Sequence, residues 1–187
     1  LGQIEGDFVR LSVDDVAAPT LHGLRSGPAE SAVLVLHGGK VTSHDRARPW
    51  QLSALRMVPF TSMLRRATDR SVAVTQLQYR YRGWNGADRS PVADAWWACD
   101  QIRDTYGPGT PITVLGHSMG GRTAAAIAGH PDVVALVALA PWWPDGRETD
   151  TLRAGQHLLV LHGTVDRWTD PVASRAATER AAARGVD

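Results

Sequence analysis

One cysteine and one lysine among 187 residues are the scarcest features of this chain. Cys99 has no partner for an intramolecular disulfide or for a thiolate metal site. No Cys/His ligand cluster occurs anywhere, so the sequence calls for neither metal nor cofactor. Removing Lys40 from the 20 basic residues leaves 19 arginines, a skew that matches genomic base composition better than a function. Net charge is only +1, which gives no electrostatic argument for nucleic acid or an anionic membrane. The longest apolar run, "VVALVALAPWW" (133–143), is too short to span a bilayer. The opening "LGQIEGDFVRLSVDD" lacks the basic-then-apolar layout of a signal peptide. A reducing cytoplasm is the expected location. The chain starts at Leu rather than Met, which points to an incomplete translation product.

What is present is an ordinary globular composition, 43% apolar and 21% charged, at a length suited to one domain. No internal repeat, linker or low-complexity tract divides it. Short apolar runs rich in β-branched residues recur at 32–39, 71–80, 111–118, 133–141 and 157–163. They read as strands buried on both faces of a parallel sheet. Helical stretches are expected between them near 51–68, 91–106 and 119–130, with a last one near 171–184. Ser90 with Pro91, and Asp170 with Pro171, offer an N-cap followed by proline at the first helical position. "DFVRLSV" and "TLHGLRS" flank a turn and suggest an antiparallel hairpin at one sheet edge. The expected architecture is one doubly wound, three-layer α/β/α domain over 1–187, with a mostly parallel sheet. Ligands of such sheets bind beyond the carboxyl ends of the strands.

The chemistry-bearing residues fall at those ends. "GHSMG" (116–120) has the pattern Gly-x-Ser-x-Gly, behind a strand and ahead of a helix. A sharp strand-to-helix turn strains the serine backbone, and a side chain at Gly116 or Gly120 would strike neighbouring backbone. Ser118 is thereby presented as a nucleophile at a helix N-terminus. "LHGGK" (36–40) ends the first long parallel strand, and a glycine turn beside the nucleophile aims amides at a developing oxyanion. Gly39 N–H and Met119 N–H are assigned that role. Lys40 either steers an anionic substrate or is a solvated loop lysine. "LHGTVDRWTDP" (161–171) places Asp166 past the last strand, where a carboxylate orients an imidazole.

"LHGG", "GHSMGG" and "HGTVDRWTDP", in this order and spacing, resemble the α/β-hydrolase superfamily, above all its small bacterial serine hydrolases of the dienelactone-hydrolase and serine-esterase type. The resemblance spans residues 31–187. It implies the α/β-hydrolase fold, Ser118 as nucleophile, Asp166 as triad acid, and Gly39 with Met119 as oxyanion hole. The connection 142–156 is too short for a lid domain, so the site is expected to be open.

The third triad member is absent from its usual place. Members of this family carry the catalytic histidine after one more strand, and the sequence stops first. His130 ends the elbow helix, roughly 18 Å from Ser118 at 1.5 Å per residue. His162 ends a strand two places away, roughly 10 Å at about 4.8 Å per strand. His117 and His37 belong to the two turns, His157 starts its strand, and His22 lies in the hairpin. His44 is the least unsuitable substitute. Lacking a further neighbour, "HLLVLHG" becomes a long, apolar, uncharged edge. The expectation is therefore a domain truncated at its C-terminus, with the base beyond residue 187.

Trp50, Trp84, Trp142, Trp143 and Trp168 sit near strand ends. Trp142 and Trp143 are candidates for contact with an apolar substrate group, or else for capping the open sheet. At least one of Trp96 and Trp97 should be core. Arg80, Arg82 and Arg89 either receive a carboxylate or are solvated. The expected function is hydrolysis of a small ester or thioester through an acyl-enzyme. Acyl transfer and peptide cleavage use the same parts. A hydrolase-like binding protein without a base is the alternative class, and a fragment completed by a partner chain is a third.

Overall fold

The structure, a computed structural model, describes residues 17–187. Six strands form one sheet in the order β1-β3-β2-β4-β5-β6. They are β1 (Thr20–His22), β2 (Ser31–Leu36), β3 (Val72–Gln78), β4 (Ile112–His117), β5 (Val133–Leu139) and β6 (His157–Leu161). All pairings are parallel except β1 with β3. From β2 the chain moves outward to β3, then returns to the other side of β2 as β4. The strand order reverses between β2 and β4, and the crevice beyond their carboxyl ends is where such sheets bind ligands. Residues 37–40 and Ser118 lie there.

The helices are α1 (Leu52–Leu55), α2 (Val58–Ala67), α3 (Ser90–Tyr106), α4 (Met119–Ala126) and α5 (Pro171–Ala182). The single helix expected over 51–68 is interrupted, because Pro59 at the start of α2 has no N–H to continue the ladder of α1. Asp170 caps α5 as expected, its side chain accepting from Val172 N. Ser90 does not cap α3: it is the first helical residue, and its hydroxyl instead accepts from Asn85 Nδ2 at 3.1 Å. One half of the expected hairpin, 7–13, lies outside the described residues. The other half supplies β1, which pairs antiparallel with β3.

Leu34, Leu36, Leu77, Ile112, Val114 and Leu136 form the main core with α3 and α4. On the opposite face Val35, Val74 and Leu115 pack on Met57, under α1 and α2. That cover does not extend across the sheet. Register places Val137 beside Leu159 and Leu139 beside Leu161, yet Leu159 is 52% exposed and Leu161 54%. The expectation that every strand is buried on both faces thus fails at β6. Beyond it the chain returns: Asp187 N donates to Gln156 O at 2.9 Å, and Leu158 N to Asp187 O at 2.7 Å. These are the two bonds of a parallel bridge between Asp187 and His157. Residues 140–156 carry only a short 3₁₀ turn, Glu148–Thr151, and no lid. Among the described residues no helix is long and apolar enough to cross a membrane.

Candidate active site

Ser118 occupies φ 54°, ψ −116°, between the end of β4 and the start of α4. A non-glycine residue held there costs on the order of 1–3 kcal/mol, so the surroundings must over-determine it. They do. Ser118 N donates to Leu139 O at 3.0 Å, while Gly121 N and Trp142 N both donate to Ser118 O at 3.0 Å. A Cβ on Gly116 would overlap the Gly120 carbonyl and come within 2.7 Å of Gly121 N. One on Gly120 would strike Leu36 O and lie 2.8 Å from His37 O. The two glycines let strand, helix and the neighbouring strand end close on one another, which is the packing anticipated from the motif.

The glycine turn after β2 meets this elbow directly. A Cβ on Gly38 would sit 3.4 Å from Ser118 Cβ, and one on Gly39 would lie 2.7 Å from Met119 Sδ and overlap Arg82 O. Gly39 and Met119 are therefore brought together beside Ser118. Met119 opens α4, and the first amides of a helix have no intrahelical acceptor. Lys40 is exposed, and its N–H donates to Arg82 O at 2.8 Å, which stitches this turn to the loop after β3.

Behind the turn, His37 is 1% exposed, with Nδ1 2.6 Å from Gly38 O. Burial pushes its imidazole down to about 4, with the Gly38 hydrogen bond offsetting only part of the effect. The folded state thus holds this ring neutral while the unfolded chain protonates near the ordinary value of 6.5. The associated stability, about 3 kcal/mol, is present above pH 6.5 and lost as pH falls towards 4. Urea unfolding of the wild type should weaken between pH 7 and 4.5 by most of that amount, and His37→Asn should flatten the dependence. Equal slopes for the two proteins would refute it.

Asp166 stands in the turn after β6. Its Oδ1 accepts from Trp168 N at 2.7 Å and Thr169 N at 3.1 Å, and its Oδ2 from Thr169 Oγ1 at 2.9 Å. The Trp168 amide, then Thr169, hold the carboxyl below its usual range, so it is ionised at neutral pH. Its charge reaches His117, whose pKa is lowered by burial and then by Arg56, with Asp166 opposing.

Most of the seven histidines have other partners. His22 lies in β1. His44 pairs with Asp88 at 3.2 Å, His130 meets Asp100 at 3.3 Å, and His157 faces Asp187 at 3.9 Å. His162 spends both nitrogens, on Ser174 Oγ at 2.8 Å and Thr169 Oγ1 at 3.0 Å. His117 Nδ1 is buried without a hydrogen-bond partner. Among the described residues no imidazole hydrogen-bonds the Ser118 hydroxyl.

The tryptophans are also redistributed. Trp143 is 4% exposed, packs on Ala138 and Ala177, and donates Nε1–H to Gly121 O at 3.3 Å. Of its two expected roles, burial fits the packing role and not contact with substrate: the ring is drawn into the gap between sheet and α5. Trp142 stays half-buried beside Ser118, but Arg122 lies 4.6 Å from its ring centroid and 4.4 Å from that of Trp84. Arg122 is further held by Asp145 and by Glu148 at 3.4 Å. Sequence pattern did not reveal this clamp, since its members are spread over residues 84–148. Trp97 packs against the core, whereas Trp50 and Trp168 are exposed. Arg80 is committed to buried Asp94, and Arg82 lies 3.8 Å from Asp45. Arg89 is exposed. Burial pushes the Cys99 thiol up to about 12, so it is inert as a thiolate. Among the described residues no three His, Cys, Asp or Glu side chains are grouped as metal ligands.

Residues 33–186 match the model of a family described as "Alpha/beta hydrolase family". Comparison with curated proteins finds no match. Several solved structures share the fold. A protein of unknown function from Agrobacterium tumefaciens, described as an alpha/beta hydrolase, superposes with a TM-score of 0.65 at 13% identity, over 88% of this chain and 73% of that one. Esterase 2 of Thermogutta terrifontis, phosphonylated by cyclosarin, gives 0.64 at 19% identity, over 90% and 74%. A lipase/esterase from Lactobacillus plantarum gives 0.59 at 13%, over 90% and 80%.

Proposed function

Because this chain belongs to the alpha/beta hydrolase family, we propose that it is a serine-dependent hydrolase of small carboxylic esters or thioesters. The observation that carries this reading is the backbone of Ser118, held at φ 54° against Gly38 and Gly39. A strained serine enclosed by two glycine turns has little structural purpose, and every purpose as a presented nucleophile.

In this reading Ser118 Oγ attacks the carbonyl carbon while an imidazole takes its proton. The carbonyl oxygen becomes an oxyanion between Gly39 N–H and Met119 N–H. Collapse expels the alkoxide or thiolate, which receives the proton from the imidazolium and leaves Ser118 acylated. Water, activated by the same imidazole, releases the acid. Asp166 holds the imidazole and stabilises its charged form. The open site suits a small substrate reached without lid motion, with Trp142 as one wall and Lys40 at the rim.

Among the described residues no imidazole hydrogen-bonds the Ser118 hydroxyl, so the base this mechanism requires is not among the contacts of the nucleophile. Six of the seven histidines are paired elsewhere or remote, and His117, next to Ser118, has its Nδ1 buried without a hydrogen-bond partner. The same lack of a base favours a second reading, a hydrolase-like binding protein. A fluorophosphonate probe separates them. Mass spectrometry should find Ser118 labelled in the folded protein. A folded gene product that resists the probe while binding an ester analogue would establish the second reading instead.

A further inference from the structure

Asp166 sits in a surface turn, where a carboxylate keeps one rotamer only if its neighbours impose it. Those neighbours form a chain of hydrogen bonds whose directions can be worked out. Asp166 is ionised, so Oδ2 only accepts, and the bond from Thr169 Oγ1 at 2.9 Å uses the single hydroxyl hydrogen. Thr169 Oγ1 can then only accept from His162 Nε2, 3.0 Å away. His162 therefore carries its hydrogen on Nε2. In the neutral ring Nδ1 accepts, and Ser174 Oγ at 2.8 Å is the donor. The side chain of His162 is 6% exposed and Ser174 is 2% exposed, so both are largely withdrawn from the surface. Three segments contribute: the end of β6, the turn that carries the acid, and α5.

We infer that Ser174, His162 and Thr169 are positioning residues, a relay that fixes the Oδ2 side of Asp166 for the catalytic imidazole. This rests on the reading of Asp166 as the triad acid. Backbone amides hold Oδ1, but they alone leave Oδ2 free to turn towards His162, whose Nε2 is 3.6 Å away. Thr169 stands between them. It satisfies one lone pair of Oδ2 with a neutral hydroxyl and keeps the ring of His162 from taking the carboxylate directly. The other lone pair of Oδ2 remains for the catalytic imidazole. Arg175 and Glu179 of α5 line the same cavity of about 280 Å³ as His162 and Ser174.

Two measurements on the natural gene product test this. Long-range ¹H–¹⁵N spectra at neutral pH should show His162 as the Nε2–H tautomer, and the Nδ1–H tautomer would overturn the relay without reference to activity. In kinetics, Thr169→Val should lower kcat roughly 10–100-fold, the worth of one hydrogen bond to a charged group, with KM unchanged. The acidic limb of its pH–rate profile should move to lower pH, because a misaligned carboxylate stabilises the imidazolium less. Thr169→Ser should restore both. A merely structural threonine would alter the folded fraction and leave the limb in place. If Thr169→Val does not fold, His162→Gln is read in the same way. Wild-type kcat and limb in these variants, with Ser118→Ala inactive, would sink the relay and spare the hydrolase. Undiminished activity in Ser118→Ala would instead remove the hydrolase reading on which the relay depends.

Discussion

Ser118→Ala in the natural gene product should lose ester hydrolysis by on the order of 10⁵–10⁶-fold in kcat, with fluorophosphonate labelling abolished. In the proposed mechanism nucleophile, base and acid act as a unit, so removal of one would remove the acyl-enzyme route altogether. On the same proposal, what would survive is the contribution of Gly39 and Met119 to binding the oxyanion during direct attack of water. Stability should change little. Alanine keeps the Cβ of serine, and the bonds at residue 118 seen here are backbone bonds to Leu139, Gly121 and Trp142. The comparison is therefore clean: matched urea midpoints beside a collapsed kcat. Matched midpoints with intact turnover would place the nucleophile elsewhere.

The second large effect belongs to Gly116. Its φ is not positive, so the residue is there for space and not for backbone freedom. A methyl group at this position would penetrate the carbonyl of Gly120 and the amide of Gly121, both backbone atoms of α4. Flexible side chains can yield to overpacking, but a helix pinned by Trp142 N and Leu139 O on either side cannot. Gly116→Ala should cost at least about 3 kcal/mol, the upper part of the usual overpacking range. For a chain of this length that is roughly 6–12 °C in Tm. Gly129→Ala is the control, since a Cβ there meets nothing within 4 Å. Thermal unfolding of the two variants side by side decides the matter, and similar Tm values would show that the elbow is looser than its contacts imply.

Both effects concern a segment that the sequence describes well, and the reason is locality. Strand, Gly-x-Ser-x-Gly and helix are contiguous, so the turn at Ser118 can be read from its own neighbours, although contacts with Leu139 and Trp142 hold it. The alternation of apolar runs gave the parallel sheet for the same reason, and Asp170 could be read as a cap from its own neighbours. Ser90 was misread by one position because Asn85, held by the loop after β3, takes its hydroxyl.

Where a property depends on two segments far apart in the chain, the amino-acid order alone was silent. Trp143 stands at a strand end, yet α5 and Gly121 draw it inward. Arg122 resembles any helix arginine until Trp84 and Trp142 close on it from two loops. His162 is set aside as a base by a spacing argument, but its hydrogen bonds to Ser174 and Thr169 appear only once α5 folds back on β6. The uncovered Leu159 and Leu161 follow from which helices lie on which face, and no periodicity reports that. Local sterics let the sequence determine the strand–turn–helix that carries Ser118. Long-range packing decided what surrounds it, because hydrogen-bond direction and burial are properties of pairs that only the tertiary structure brings into contact.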